Sequence, residues 1–475
     1  MSQGRGRTIR GGVGAGLLVA VALAAAGAGA ASAPVPSATP SLAGGPIQHI
    51  VVVMQENRSF DHFFGTFPGA DGLPMVGGVP SVCLPDPAAA SGCQPSYHDP
   101  DLVDQGGPHG AADFVADLDG GRMDGFVIQS RKAALEACKR PGDVACPGAT
   151  GPSDVMGWHD DREIPAYWAW AHEYVLQDHL FEPAASWTLP SHLYLVSEWS
   201  ARCTTPGDPM SCVTDIDRPD RPADPSASPG TGPDFAWTDL TWLLHRAGVD
   251  WAYYVSEGDE PDCALGTMSC PPTPQQAARP GLWNPLPWFD TVRQAGELDH
   301  IRTLDSFLEA VKAGDLPPVS WVVPDNDESD HPPALIAAGQ AYLVGLVDAI
   351  MDSPLWDSAA IFIAWDDWGG FYDHVVPPVV DGQGYGFRVP GLLISPYARH
   401  GLIDHQTLSF DAYVKLIEDV FLGGQRLDPV TDGRPDPRPD VREVQPVLGD
   451  LAAELDLSQP PRAPMILPIP SVPPG

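Results

Sequence analysis

Short, β-branched apolar runs alternate with segments of helical period, and that alternation narrows the fold more than any other feature of the chain. Residues 47–54 ("IQHIVVVM"), 251–255 ("WAYYV"), 319–324 ("VSWVVP"), 359–365 ("AAIFIAW") and 387–396 ("FRVPGLLISP") read as buried strands. Between and after them, residues 161–176, 234–248, 333–353 and 410–421 carry large apolar residues at helical spacing, the second closing at Gly248. Strands alternating with helices predict an α/β fold: a central, mostly parallel sheet flanked by helices. In such sheets ligands bind beyond the carboxyl ends of the strands.

Two of these strand ends are chemically unusual. The run at 359–365 is followed by Asp366 and Asp367, and the run at 47–54 by Glu56 and Asn57. Adjacent carboxylates repel and lose hydration at the end of a buried strand, so a cation between them is expected. A carboxylate, an amide oxygen and two more carboxylates make a hard oxygen cage. The alternative for Glu56–Asn57 is a helix-start cap. Thr188 stands two residues before Pro190, ahead of an apolar helical run. It reads either as a helix cap or as a nucleophile whose hydroxyl lies where free N–H groups favour an oxyanion. His109, His331 and His374 fall in loops bounded by Pro or Gly. They serve either as structural hydrogen-bond partners or together as donors to phosphoryl oxygens, ligands of a second metal, or acids for a leaving group.

The formal net charge of −36 excludes nucleic-acid binding by phosphate neutralisation. Residues 1–33 read as an export signal: Arg5, Arg7 and Arg10, then an Ala-rich apolar run, then small residues before a cut after Ala33. The alternative is an uncleaved anchor. Residues 34–46 read as a linker, 47–455 as the catalytic domain, and 456–475 as a proline-rich tail, extended on the surface or disordered. The stretches 66–155 and 200–235 lack periodicity and read as disulfide-tied loop or cap insertions. The eight cysteines fall into four local pairs, and neighbour pairing predicts 83–93, 138–146, 203–212 and 263–270.

The blocks "HIVVVMQENRSFDHFFGTFPGADG", "RMDGF", "TLPSHLYLVS", "SWVVPDNDESDHPP" and "WDDWGGFYDHVVPP" resemble, in order, those of the bacterial phosphoesterase family of phospholipases C and acid phosphatases. That family is similar in fold to the alkaline phosphatase superfamily. The resemblance implies a metal site of Glu56, Asn57, Thr188, Asp366 and Asp367, with Thr188 also the nucleophile. It implies a phosphate pocket lined by His331 and His374, with His109 upstream. Trp368 stands where the family often has His or Asn, which bears on the pocket wall.

The expectation is therefore a secreted, metal-dependent phosphoesterase that works through a phospho-threonine intermediate. Its cofactor would be a divalent ion, with calcium, zinc, magnesium and manganese all compatible with oxygen ligands. Its substrate would be a phospholipid at a membrane surface or, alternatively, a phosphomonoester; no nucleic acid and no protein partner are indicated. A non-catalytic extracellular protein binding a metal or lipid headgroup is the reading from another class.

Overall fold

Parallel strands are covered on both faces and read as continuous apolar runs, and this sheet follows the rule. In the computed structural model, which describes residues 42–472 apart from 144, 225 and 227–231, eight strands form one sheet. In chain order they are β1 His49–Gln55, β2 Val175–Gln177, β3 Trp251–Val255, β4 Ile301–Thr303, β5 Val319–Val323, β6 Ala359–Trp365, β7 Gly391–Ile394 and β8 Leu402–Asp404. Across the sheet they lie in the order β4-β3-β5-β1-β6-β7-β2-β8. β7 is antiparallel to both neighbours, and every other pairing is parallel. All seven residues of β6 are buried, so layers cover both faces, and the main core runs through the sheet and its helices.

Register sets up the site. β1 sits between β5 and β6, and Gln55 pairs with Trp365. The residues after each, Glu56–Asn57 and Asp366–Asp367, leave the sheet side by side. β5 and β3 end level with each other, Val323 against Val255, and feed the loops that carry His331 and Asp262.

Two expected elements change. The segment 161–176 is helical only over Pro165–Glu173, and Val175–Gln177 is strand β2, because Leu176 and Val175 pair with Leu392 and Leu393. Sheet pairing overrides helical period there. The expected strand at 387–396 contracts to Gly391–Ile394, since Pro390 has no N–H for a ladder. The helix at 410–421 runs over Phe410–Phe421, and that at 333–353 over Ile336–Met351.

The insertion at 66–155 is more ordered than its aperiodic sequence suggests. It holds helices Ala111–Leu118 and Phe126–Ala137, and its Leu84, Phe114 and Phe126 form a second small core with Trp368, Tyr372 and Phe387. All four disulfides form between the expected neighbours: Cys83–Cys93, Cys138–Cys146, Cys203–Cys212 and Cys263–Cys270. The export signal, and the linker as far as residue 41, lie outside the described residues; from Leu42 on the described residues belong to one compact unit. The tail is held on the surface as far as Leu467: Trp356 Nε1 donates to Arg462 O at 2.7 Å, Arg462 Nη2 donates to Glu173 O at 3.1 Å, and Leu467 N donates to Asp348 Oδ1 at 3.3 Å. No helix among the described residues is long and apolar enough to cross a membrane.

Candidate active site

Asn57 takes a left-handed conformation, φ 57°, which Asn tolerates better than most residues. This turn aims its backbone N–H at Asp366 Oδ1, 3.0 Å away, and its Nδ2 at Asp367 Oδ1, 3.1 Å away. The cap of the following helix, Phe60–Phe64, is Ser59, so Glu56 and Asn57 are not capping residues. Asp367 Oδ1 also accepts from Gly369 N at 2.7 Å.

Thr188 is the first residue of the helix Thr188–Ser197, and the cap position belongs to Trp187. The threonine side chain is thereby free of a capping role. Its Oγ1 donates to Asp367 Oδ2 at 3.2 Å, and the residue is fully buried. The neighbouring hydroxyls go elsewhere: Ser186 Oγ donates to Ile216 O, and Ser191 Oγ to Glu182 Oε1. The N–H groups of Thr188 and Leu189 stand at the open end of the helix, where an anion is favoured.

The histidines divide. His109 joins the cluster: its Nε2 lies 3.2 Å from Asn57 Nδ2 and 3.8 Å from Asp367 Oδ2, while Nδ1 lies 3.0 Å from Gly107 O. His331 reaches it through Asp262, whose Oδ1 is 3.1 Å from His331 Nε2 and 3.8 Å from His109 Nε2. His374 does not join. Its Nδ1 lies 2.7 Å from Asp61 Oδ2, and Nε2 lies 3.5 Å from Asp71 Oδ1. Arg388 fixes this outer network by bridging Asp373 and Asp61.

Sequence reading missed two members. Asp262 lies in the aperiodic loop of the Cys263–Cys270 bridge and carries no local signal. His192 lies four residues after Thr188 and so on the same helix face. Its Nε2 is 3.3 Å from Glu56 Oε1 and its Nδ1 is 3.4 Å from the Tyr253 hydroxyl. Trp368 turns away into the second core, with Nε1 3.4 Å from Asp117 Oδ2; it braces the wall of the site from behind.

Charge is heavily concentrated here. Glu56, Asp262, Asp366, Asp367 and Glu182 are all buried. Burial, reinforced by neighbouring carboxylates, holds Glu56 and Asp366 well above the usual carboxyl range. Burial pushes Asp367 up to about 6, with His109 pulling against it. Burial would lower His109, yet Asp367 and Asp262 carry it up to about 10. Burial opposes ionisation of Asp262 as well, but His331 and His109 hold it below the usual range. Burial takes His192 down to about 4.

Glu56 Oε2, Asn57 Oδ1 and Asp366 Oδ2 are buried without a hydrogen-bond partner. Unpaired buried carboxylate oxygens are costly. A divalent cation would satisfy all three and neutralise the excess negative charge, so the donor set fits a metal.

The family model described as Phosphoesterase family matches residues 47–422. Phospholipase C B of Mycobacterium tuberculosis is 29% identical over 412 residues, covering 79% of this chain and 73% of its own length. Non-hemolytic phospholipase C of Burkholderia pseudomallei is 25% identical over 437 residues, covering 79% of this chain; the match spans 55%, about half, of that relative. A solved structure from Vibrio parahaemolyticus, described as a protein in the alkaline phosphatase superfamily, matches at a TM-score of 0.31. It is 11% identical over 80% of this chain and 68% of that one, too distant to carry an argument.

Proposed function

The chain belongs to the phosphoesterase family and is a phosphoric ester hydrolase, and on that premise we propose that it cleaves phospholipids in the manner of a phospholipase C, using Thr188 as nucleophile. The observation that carries this reading is the Thr188 hydroxyl. It is buried at a helix N-terminus and donates to Asp367, while Ser186 donates to Ile216 O and Ser191 to Glu182, neither to a carboxylate of the metal set.

Glu56, Asn57, Asp366, Asp367 and Thr188 would hold a divalent metal ion. When bound, the ion would supply charge stabilisation and lower the pKa of the hydroxyl. Asp367 Oδ2 accepts the Thr188 proton as Oγ1 attacks phosphorus in line and the bond from phosphorus to the alcohol oxygen breaks. The N–H groups of the first helical turn face the phosphoryl oxygens. His109, next to Asn57 and held by Asp262, supports protonation of the departing alcohol. Water then hydrolyses the phospho-threonine. Positioning and charge stabilisation account for most of the catalysis in such a transfer.

The phospholipid assignment draws on the names of the relatives and on one surface feature. The hairpin of Met75–Val76 and Val79–Pro80 leaves Met75, Val76 and Val79 exposed, which suits contact with a lipid surface. A phosphomonoester is the second reading, supported by His109, whose Nε2 lies 3.8 Å from the Asp367 oxygen that accepts from Thr188. The four disulfides suit an oxidising, extracellular setting, in line with secretion.

The test is turnover of phosphatidylcholine vesicles against a soluble phosphomonoester, each with and without chelator. The reading expects chelator-sensitive release of phosphocholine exceeding monoester hydrolysis. Chelator-insensitive turnover removes the metal, and monoester preference removes the lipid.

A further inference from the structure

His192 presents to the acidic cluster a ring nitrogen that hydrogen bonding within the protein satisfies only where Glu56 carries a proton. The Tyr253 hydroxyl donates its single proton to Trp283 O at 2.6 Å. Its oxygen therefore faces His192 Nδ1, 3.4 Å away, as an acceptor. That assigns the ring proton of the neutral imidazole to Nδ1 and leaves Nε2 with a lone pair. Nε2 points at Glu56 Oε1, 3.3 Å away. Two lone-pair atoms facing each other need a proton or a cation between them.

A proton on Glu56 would join only those two atoms. A cation would also serve Glu56 and Asp366, whose Oε2 and Oδ2 are buried with no partner. One ligand atom from each of Glu56, His192 and Asp366 lies within 4.8 Å of the other two. Nε2 and Oε1, 3.3 Å apart, are close enough for one ion to bond both. The Tyr253 contact at Nδ1 is the outer hydrogen bond that commonly fixes the tautomer of a metal-binding histidine.

We propose that His192 is a nitrogen ligand of the metal through Nε2, and that the site accordingly takes a first-row transition ion such as zinc or manganese ahead of calcium or magnesium. This rests on the metal reading of the cluster and adds to its oxygen cage. Imidazole binds transition ions well and the hard alkaline-earth ions poorly. Thr188 and His192, one helical turn apart, then tie the nucleophile and the ion to one rigid element.

The experiment loads the full-length protein, stripped by chelator, with Mn²⁺ after labelling with ¹⁵N-histidine, and records nitrogen hyperfine coupling by pulsed electron paramagnetic resonance. The wild type should show directly bonded nitrogen. The coupling should persist in His109→Ala and vanish in His192→Ala. Zn²⁺ affinity, read by calorimetry, should fall on the order of 10–100-fold in His192→Ala, with Ca²⁺ affinity changed far less. Wild-type protein that binds Mn²⁺ without nitrogen coupling overturns the role of His192 and leaves the metal reading standing. So does coupling that survives in His192→Ala. Wild-type protein that takes up no divalent ion, with Asp366→Ala indistinguishable from it, overturns both. The wild-type spectrum decides the matter even if His192→Ala fails to fold.

Discussion

Gly369→Ala should disable the site through Asn57 while leaving the fold standing. Gly369 has φ 59°, and a Cβ there would lie 2.5 Å from Asn57 O and 2.8 Å from Asn57 Cβ. Ordinary carbon contacts lie near 3.5 Å, so Asn57 must retreat by about 1 Å. The left-handed backbone costs an alanine about 1–2 kcal/mol. Asn57 carries the hydrogen bonds that set Asp366 and Asp367, and a misplacement of about 1 Å in a catalytic array costs on the order of 10²-fold in rate. The expected result is a kcat lower by about that factor, with unfolding free energy reduced by ~2–5 kcal/mol, the backbone cost plus that of the overlap. Turnover would be followed on a soluble phosphodiester, and stability by urea unfolding. Gly345→Ala is the control: it lies mid-helix with nothing within 4 Å of the added Cβ, and should gain up to ~1 kcal/mol with activity intact. Wild-type turnover in folded Gly369→Ala would refute the claim that Asn57 sets the site.

Arg388→Met should cost about 3–5 kcal/mol in urea unfolding, because it strands Asp373 and Asp61, which the buried guanidinium bridges; a loss below ~1 kcal/mol would contradict this. Burial holds His62 down to about 4, against about 6.5 in an unfolded chain. The unfolded chain takes up that proton first, so the contribution is full above about pH 6.5 and is lost, by about 3 kcal/mol, as pH falls through 4. Stability of His62→Gln should be correspondingly flatter over that window, and an unchanged slope would refute it. Each disulfide spans a short loop, 7 to 10 residues in separation, and is worth about 2–3 kcal/mol. Reduction should speed amide exchange in the helices Ala111–Leu118 and Phe126–Ala137 before β1 and β6; simultaneous loss would contradict it.

The sequence made the sheet legible where burial on both faces left a continuous apolar run, as in β1 and β6. It failed where a partner strand decided, as at Val175–Gln177, which carries the helical spacing of the segment before it. Glu56, Asn57, Asp366 and Asp367 could be found because carboxylates at the end of a buried strand are chemically conspicuous. His109 and His331 could be named but not joined, because Asp262, which links them, comes from a loop without period. His374, which the resemblance assigns to the phosphate pocket, has its ring against Asp61 and Asp71; nothing local announces that Asp61, Asp71 and Arg388 converge there. His192 had a readable signal, a histidine one helical turn after the candidate nucleophile. It was absorbed into the apolar pattern of the helix.

The central claim is that Thr188 Oγ1 becomes bonded to phosphorus. Rapid mixing with substrate, acid quench within the first turnover, and peptide mass spectrometry test it directly. The account predicts phosphate on the peptide containing Thr188, fragment ions placing it on that residue, and no labelled peptide from Thr188→Ala, whose turnover falls by several orders of magnitude. Phosphate on Ser186, Ser191 or a histidine, or normal turnover by Thr188→Ala, would contradict it.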